Sequence, residues 1–371
     1  MKTKLLIIGV IFLLITGCKN KSQVTPTNIT DNVYQHTTTS LRLLEQNRIN
    51  DAKASINRAI KLDPTNSIAL STKAVIENNP QLLKKAKKYI KNKADKFIYY
   101  LSNIRLAKNE EEINKYYKLA KEIDTSNLLL PYYKDKGALE YFTAKAYFNL
   151  ANYEKAREFC SKVFNYKNSK FYEKARKLWE KSDRIIKALG VSKWSLNAKK
   201  LAAKDKIKRV DAAVVLVNEL NLDKLLKGAF NSYPNKKIKL PEDVKNHPNR
   251  YEIEIIYKYN LRGLNNIIKD KKIVFAPNEP ITREEFALVL EDIIATYTKD
   301  KNYKTKYFGN KSIFVDVKET SPAFNAIMNA VARGFMKANK YGEFRPKDPL
   351  SGIELIEAIS KIKEELSLWK I

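Results

Sequence analysis

Apolar residues recur every three or four positions along most of this 371-residue chain, which predicts amphipathic helices rather than strands. The clearest early example has Ala52, Ile56 and Ala59 on one face, and Asp63-Pro64 ends that helix. A similar stripe returns later in the chain and comprises Tyr147, Tyr153, Ala156, Cys160 and Val163. A final helix of this region stops at Gly190. The pattern predicts an all-α fold whose first domain runs from 32 to 189, followed by a second domain from 190 to 371.

The helices of the first domain contain a weak internal repeat. Ala86 follows Ala52 by 34 residues, and a degenerate copy comprises Ile113, Tyr117 and Ala120. This repeat resembles the tetratricopeptide repeats, whose small residues let adjacent helices approach closely. The resemblance implies a concave surface that docks a protein partner of unknown identity. Helical hairpins of another class are the alternative.

The strongest local signal in the second domain is a helix start at Thr282. Thr282 is placed to cap the helix while Glu285 reaches back to its amide, which is a capping box, and Ile281 with Phe286 forms a hydrophobic staple. The same start recurs with Ser351 as the cap and Glu354 closing the box, between Leu350 and Leu355. A looser copy runs from Ile207 to Ala213, where Lys208 cannot act as a cap.

Further features precede the two complete starts in the same order. Each has an acidic-Val pair (Asp243-Val244, Asp316-Val317), an Arg-Gly turn (Arg262-Gly263, Arg333-Gly334) and a Phe-x-Pro segment (Phe275 to Pro277, Phe344 to Pro346). This order resembles the S-layer homology (SLH) domain. The resemblance implies a pseudo-threefold helical bundle, with units at about 191–227, 240–297 and 313–366, that binds peptidoglycan or an associated anionic wall polysaccharide without a covalent bond.

Residues 1–17 have the pattern of an export signal. Lys2 and Lys4 precede a short apolar run that is too short to span a membrane, and Ile15 to Cys18 resembles a bacterial lipobox. The resemblance implies lipidation of Cys18 as the mature N-terminus and, with Lys19 next, retention in the outer membrane facing the periplasm. The outer face of the plasma membrane is the alternative. Residues 18–31 are polar and predict a flexible linker with a span of roughly 20 Å.

The formal net charge of +29 comes mostly from lysine. It favours an anionic partner such as a wall polymer or lipid headgroups, although a lysine-rich composition that only solvates helix faces explains it equally well. The export signal argues against nucleic acid. A lysine- and tyrosine-rich stretch at about 298–312 is predicted to be a solvated loop.

No catalytic constellation can be assembled from the sequence. The two histidines, His36 and His247, are far apart in unrelated contexts, so neither a zinc site nor a Ser-His-Asp arrangement is predicted. Cys160 lies on an apolar helical stripe and is predicted to be an inert core thiol. We therefore expect no enzyme, no metal and no cofactor.

The predicted polymer-binding residues lie at the helix starts. A helix N-terminus suits an anionic group, and Arg283 with Arg209 matches the arginine of the SLH family, while Gly352 occupies that position in the third unit. Thr282 and Glu285 are either further polymer contacts or helix caps only. Because Arg283 has no capping role, the sequence predicts that it contributes to polymer binding and little to stability.

Together these features predict a lipid-anchored envelope protein. Its SLH-like domain binds wall polymer, and its repeat domain docks a protein partner. The alternative is an adaptor for an envelope secretion, pilus or polysaccharide-export machine, in which the SLH-like bundle is purely structural.

Overall fold

The computed structural model describes residues 25–126, 128, 130–228 and 238–368. The predicted export signal, Cys18 and the first part of the linker lie outside these residues. The described chain is mostly helical, and it divides into two compact units, described residues 25–106 with 118–134 and described residues 107–117 with 135–368.

The first unit contains six short helices and the end of α6, which begins in the second unit. They are α1 (Val33–Glu45), α2 (Ile49–Leu62), α3 (Ser67–Glu77), α4 (Gln81–Lys87), α5 (Lys93–Leu106), α6 (Glu110–Lys121) and α7 (Pro131–Lys134). Asn32 and Asn66 cap α1 and α3 with their side-chain oxygens. Ala52, Ile56 and Ala59 are fully buried between packed helices, as their spacing predicts.

Asp31, at the end of the predicted linker, connects the chain before α1 to α2. Its carboxylate accepts a hydrogen bond from Arg58 Nε at 2.9 Å and from the backbone N–H of Thr27 at 2.8 Å. Arg58 also donates to the carbonyl oxygen of Thr25 at 3.3 Å. The guanidinium of Arg58 holds the pKa of Asp31 well below its usual range. Residues 25–31 are therefore part of the folded unit rather than of a flexible linker.

The second unit contains the remaining helices and one two-stranded hairpin. The helices are α8 (Ala138–Asn149), α9 (Tyr153–Val163), α10 (Tyr172–Leu189), α11 (Leu196–Ala202), α12 (Arg209–Glu219), α13 (Leu222–Lys227), α14 (Arg250–Lys258), α15 (Arg283–Thr298), α16 (Phe324–Ala332) and α17 (Gly352–Leu368). One continuous apolar core extends from Ala151 to Leu366. Cys160 is buried, and burial raises the pKa of its thiol to about 12, which agrees with an inert core thiol.

The predicted domain boundary after residue 189 falls inside this second unit. α10 packs against α17, and Ser360 Oγ of α17 donates to the carbonyl oxygen of Ala188 at 2.8 Å. Tyr153 OH of α9 donates to the carbonyl oxygen of Lys199 at 2.7 Å. Gly190 does end α10, at a φ of +55°. The helix therefore stops where predicted, but the apolar residues of its last turns belong to the continuous core of the second unit, while the helix also packs against α9.

The hairpin is an exception to the all-α prediction. β1 (Ile267–Lys269) and β2 (Lys272–Val274) pair antiparallel, with Ile268 opposite Ile273. Asp270 and Lys271 make the turn with positive φ angles, which is the geometry of a two-residue hairpin turn that glycine or asparagine usually supplies. The sequence lacks that signal, so the hairpin was not predicted.

Candidate functional site

The three predicted helix starts meet through a closed ring of backbone hydrogen bonds. Ile207 N–H donates to the carbonyl of Leu350 at 2.9 Å, Leu350 N–H to that of Ile281 at 2.9 Å, and Ile281 N–H to that of Ile207 at 3.0 Å. All three side chains are fully buried. Because each segment donates to one neighbour and accepts from the other, the arrangement is cyclic.

Capping at the second and third starts follows the sequence prediction. Thr282 N–H donates to Glu285 Oε2 at 2.7 Å, and Thr282 Oγ1 accepts from the Glu285 amide at 3.3 Å. Ser351 and Glu354 form the same pair at the start of α17, with the Ser351 amide 2.9 Å from Glu354 Oε2. Both boxes therefore satisfy helix N–H groups that would otherwise lack partners.

Arg283 is buried rather than presented to a ligand, because only 1% of its surface is exposed. Nε donates to the carbonyl of Phe344 at 2.8 Å and Nη2 to that of Lys337 at 2.8 Å, while Nη1 pairs with Glu354. Its guanidinium carbon lies 4.6 Å from the centre of the Phe344 ring. Burial lowers the pKa of Arg283 to about 10, so the side chain stays charged at neutral pH.

Arg209 repeats this arrangement one unit earlier and is also 1% exposed. It donates to the carbonyls of Phe275 at 2.8 Å and Asn265 at 2.5 Å, and it pairs with Glu285 at 3.0 Å. Each capping glutamate therefore binds its own helix start with one oxygen and the arginine of the preceding unit with the other. The two guanidinium groups bond to the protein's own oxygens. In this structure neither Arg209 nor Arg283 is exposed for the polymer contact that the sequence predicts.

Gly352, where an arginine would complete the series, lies against the backbone of α11. A Cβ at this position would be 1.9 Å from the carbonyl oxygen of Leu201. The Gly352 amide donates to the carbonyl of Lys204 at 2.8 Å. Lys204 Nζ pairs with Asp211 at 2.9 Å. Lys204 therefore supplies the cation that pairs with the acidic residue of the first helix start. At the other two helix starts an arginine pairs with the capping glutamate.

The acidic-Val pairs of the sequence orient the Phe-x-Pro segments. Asp243 accepts from the amides of Phe275 and Ala276 at 3.1 and 2.8 Å. Asp316 accepts from the amides of Phe344 and Arg345 at 2.8 and 2.6 Å. The Asp-Val pair repeats in the sequence, but the sequence does not predict that its aspartate binds the backbone of a distant turn.

A cavity of about 550 Å³ opens beside the start of α17, within the second unit. Its lining includes Ser351 at the helix start and five cationic side chains, which are Lys181, Arg184, Lys204, Lys337 and Arg345. Four carboxylates also line it, namely Asp205, Asp348, Glu354 and Glu357. Several of these charges pair with each other, including Lys181 with Asp205 at 2.8 Å and Lys337 with Glu357 at 3.1 Å. The α10 cations were missed because α10 was assigned to the other domain.

A second, more apolar cavity of about 630 Å³ lies in the first unit. Val33, Ile68, Ile98 and Leu128 are among the residues that line it. The amide side chains of Asn66 and Asn92 also reach its wall, but both cap neighbouring helices. Apart from Lys93, its walls offer a ligand mainly apolar surface.

The described residues contain no cluster of acidic, histidine or cysteine side chains that could hold a metal ion. Within the same part of the chain, no helix is both long and apolar enough to cross a membrane. His36 pairs with Asp31 at 2.8 Å, and the His247 ring accepts from the Asn249 amide at 3.1 Å. Both histidines therefore have local structural partners.

The family model of the S-layer homology domain matches residues 242–287 and 313–356. These segments contain the starts of α15 and α17, both aspartate clasps and both Phe-x-Pro turns. Comparison with curated proteins and with solved structures finds no match. The chain therefore carries S-layer homology sequence, which supports non-covalent binding to a cell-wall or envelope polymer.

Proposed function

We propose that this protein is a lipid-anchored tether of the bacterial cell envelope. A pseudo-threefold S-layer homology bundle binds an anionic wall polymer, and the tetratricopeptide-like helices of the first unit dock a protein partner. The observation that carries the polymer-binding part is the charged cavity beside the start of α17. That helix start lies inside a matched S-layer homology segment, and α10 and α11 complete the cavity from outside it.

The cyclic contacts of the three helix starts support a bundle with three related units. Ile207, Ile281 and Leu350 occupy equivalent places in the ring, and Arg209 and Arg283 bind the next unit's glutamate in the same way. The first of these three S-layer homology-like units, at about 191–227, lies outside the family matches. Among the described residues, this S-layer homology-like unit shows no copy of the aspartate clasp. Its helix α11 packs against α17.

The cavity has the chemistry that an anionic sugar polymer requires. Cationic side chains attract carboxylate or phosphate groups, while Ile353, Pro349 and Met336 offer an apolar wall to a sugar ring. Arg184 has no carboxylate within ion-pair distance among the described residues, so a polymer does not need to displace an existing partner there.

Replacing Arg184 and Lys337 together with glutamate should weaken binding of the full chain to purified sacculi by about tenfold or more. Each reversal removes a charge-assisted hydrogen bond of about 1.5–3 kcal/mol. The matched control is glutamate at Lys84 and Lys87, which are exposed on α4 of the first unit. Co-sedimentation with sacculi measures both variants, and equal binding by the cavity variant and the wild type would reject the site.

The anchor part of the proposal predicts a change of cell fraction. Cys18→Ser removes the thiol that would carry the lipid, so the mature protein should move from the membrane fraction to the soluble fraction. Cys160→Ser serves as the control, because Cys160 is buried in α9. Fractionation after a high-salt wash separates lipid anchoring from charge attraction, and a wild-type protein that the wash releases from membranes as readily as Cys18→Ser would contradict the anchor.

The docking part of the proposal rests on the apolar cavity of the first unit. An assembly adaptor for a secretion, pilus or export machine is the competing function, and it would use the same cavity. Binding to sacculi separates the two, because an adaptor with a purely structural bundle should leave the wild-type chain in the supernatant.

A further inference from the structure

Residues 299–318, together with Lys340 and Tyr341, form a basic surface with exposed apolar side chains, which we call the loop surface. Four large hydrophobic residues on it, Phe308, Ile313, Val315 and Tyr341, are between 66% and 77% exposed. They make up four of the twelve exposed large hydrophobic residues of the described chain. A solvated loop, as predicted from the sequence, has no reason to expose them together.

The fold holds these apolar side chains outward. Phe314 is buried against Phe344, with ring centres 5.8 Å apart, so its neighbours Ile313 and Val315 face away from the core. Val315 N–H donates to the carbonyl of Gly342 at 3.2 Å. This bond brings Val315 next to the turn that carries Tyr341.

The preceding part of the loop is also fixed. Tyr303 is buried, and its carbonyl accepts from Asn325 and Asn329 of α16 at 3.0 Å each. The amide of Tyr307 donates to Asn325 Oδ1 at 2.8 Å. The loop therefore presents its exposed side chains from a preorganised backbone, which lowers the entropy lost on binding.

The charge of the loop surface is strongly positive. Residues 299–318 contain six lysines and two aspartates, and Lys340 lies 5.0 Å from the Tyr341 ring. Both oxygens of Asp316 accept backbone amides. Lys304 pairs with Asp292 at 2.6 Å, whereas the other lysines of the surface have no carboxylate within ion-pair distance among the described residues. They are Lys299, Lys301, Lys306, Lys311, Lys318 and Lys340.

We propose that the loop surface binds an anionic phospholipid bilayer at its interface, with the four hydrophobic side chains inserted among the lipids and the lysines on the headgroups. Interleaved basic and apolar side chains are the pattern of interfacial membrane binding. The exposed Ile313 and Val315 favour lipid over a wall polymer, because aliphatic side chains gain little from a hydroxylated glycan but are stabilised in hydrocarbon.

Vesicle co-sedimentation tests this proposal on the chain from residue 19 onward, which keeps every described residue and lacks the proposed lipid anchor. We expect binding to vesicles of phosphatidylcholine with phosphatidylglycerol, and little binding to phosphatidylcholine alone. Serine at Phe308, Ile313, Val315 and Tyr341 should weaken binding by more than about tenfold. The matched control is serine at Ile268 and Ile273, which are exposed on the hairpin of the same unit.

Charge reversal is an independent variant in case the serine variant fails to fold. Glutamate at Lys301, Lys306 and Lys311 should weaken binding about fivefold for each lysine, and glutamate at Lys84, Lys85 and Lys87 of α4 should change it much less. No binding by the wild type, or equal losses in variant and control, would overturn the proposal. Loss of sacculus binding without any vesicle binding would also overturn it, and would assign the surface to wall polymer.

Discussion

Arg283→Ala should lower the free energy of unfolding by about 3–5 kcal/mol, the range for removing one partner of a buried ion pair. The substitution leaves Glu354 without its buried cation and the carbonyls of Phe344 and Lys337 without their donors. Denaturation in urea, followed by the fluorescence of Trp179 and Trp194, measures the effect, because both tryptophans lie in the second unit. This expectation reverses the sequence prediction that Arg283 contributes little to stability.

Arg345→Ala is the matched control, because Arg345 approaches the same glutamate from the surface. It is half exposed and lies 3.9 Å from Glu354 and 3.5 Å from Asp348, so its loss should cost less than about 1 kcal/mol. Arg283→Lys should restore little stability, since an ammonium cannot reach two carbonyls and a carboxylate in one plane. Equal destabilisation by Arg283→Ala and Arg345→Ala would refute the structural role of Arg283.

The helix starts were predictable because their signals are local. A threonine or serine followed three residues later by glutamate defines the capping box, and both boxes form as the sequence indicates. The partners of Arg283 lie 54 and 61 residues further along the chain. Spacing between neighbours carries no information about such partners, so a buried arginine and a ligand-binding arginine have the same local sequence.

The predicted linker and the predicted domain boundary differ from the contacts of the structure for a similar reason. The polar stretch before α1 has the composition of a linker, but Arg58, 27 residues after Asp31, fixes its last residues to α2. Gly190 correctly marks the end of α10, yet that helix packs against α17, far away in the sequence, as well as against the preceding α9. The amphipathic pattern predicts which face of a helix is buried and does not identify what covers it.

The distribution of charge connects the two proposed surfaces. The cavity beside α17 contains cations and carboxylates that partly neutralise each other. Such a cavity suits a ligand that is recognised by its shape as well as by its charge. The loop surface carries lysines without carboxylate partners among the described residues, together with exposed aliphatic side chains, which suits an extended anionic surface. A chain with a net charge of +29 can therefore hold a polymer and a bilayer at different sites, and the sacculus and vesicle experiments test them separately.

Gly352→Ala should destabilise the second unit by about 1–3 kcal/mol or more, the range for forcing an extra group into a packed site. Alanine is the better helix former, so helix propensity alone predicts the opposite sign. The destabilisation arises because the new Cβ would meet the Leu201 carbonyl oxygen at 1.9 Å, and that atom belongs to the backbone of α11. The same clash explains why the third unit has no arginine here, and Gly352→Arg should destabilise at least as much.

Gly228→Ala is the matched control for this effect. Gly228 ends α13 with a φ of −70°, and a Cβ there would meet no atom within 4 Å. Its replacement should be neutral or stabilise by up to about 1 kcal/mol, because alanine reduces the entropy of the unfolded chain. Urea denaturation of the two variants gives opposite shifts of the midpoint if the close approach of α11 to α17 determines the residue at 352. A Gly352→Ala protein as stable as the wild type would show that the two helices can separate at no cost, and the absence of the third arginine would then need another cause.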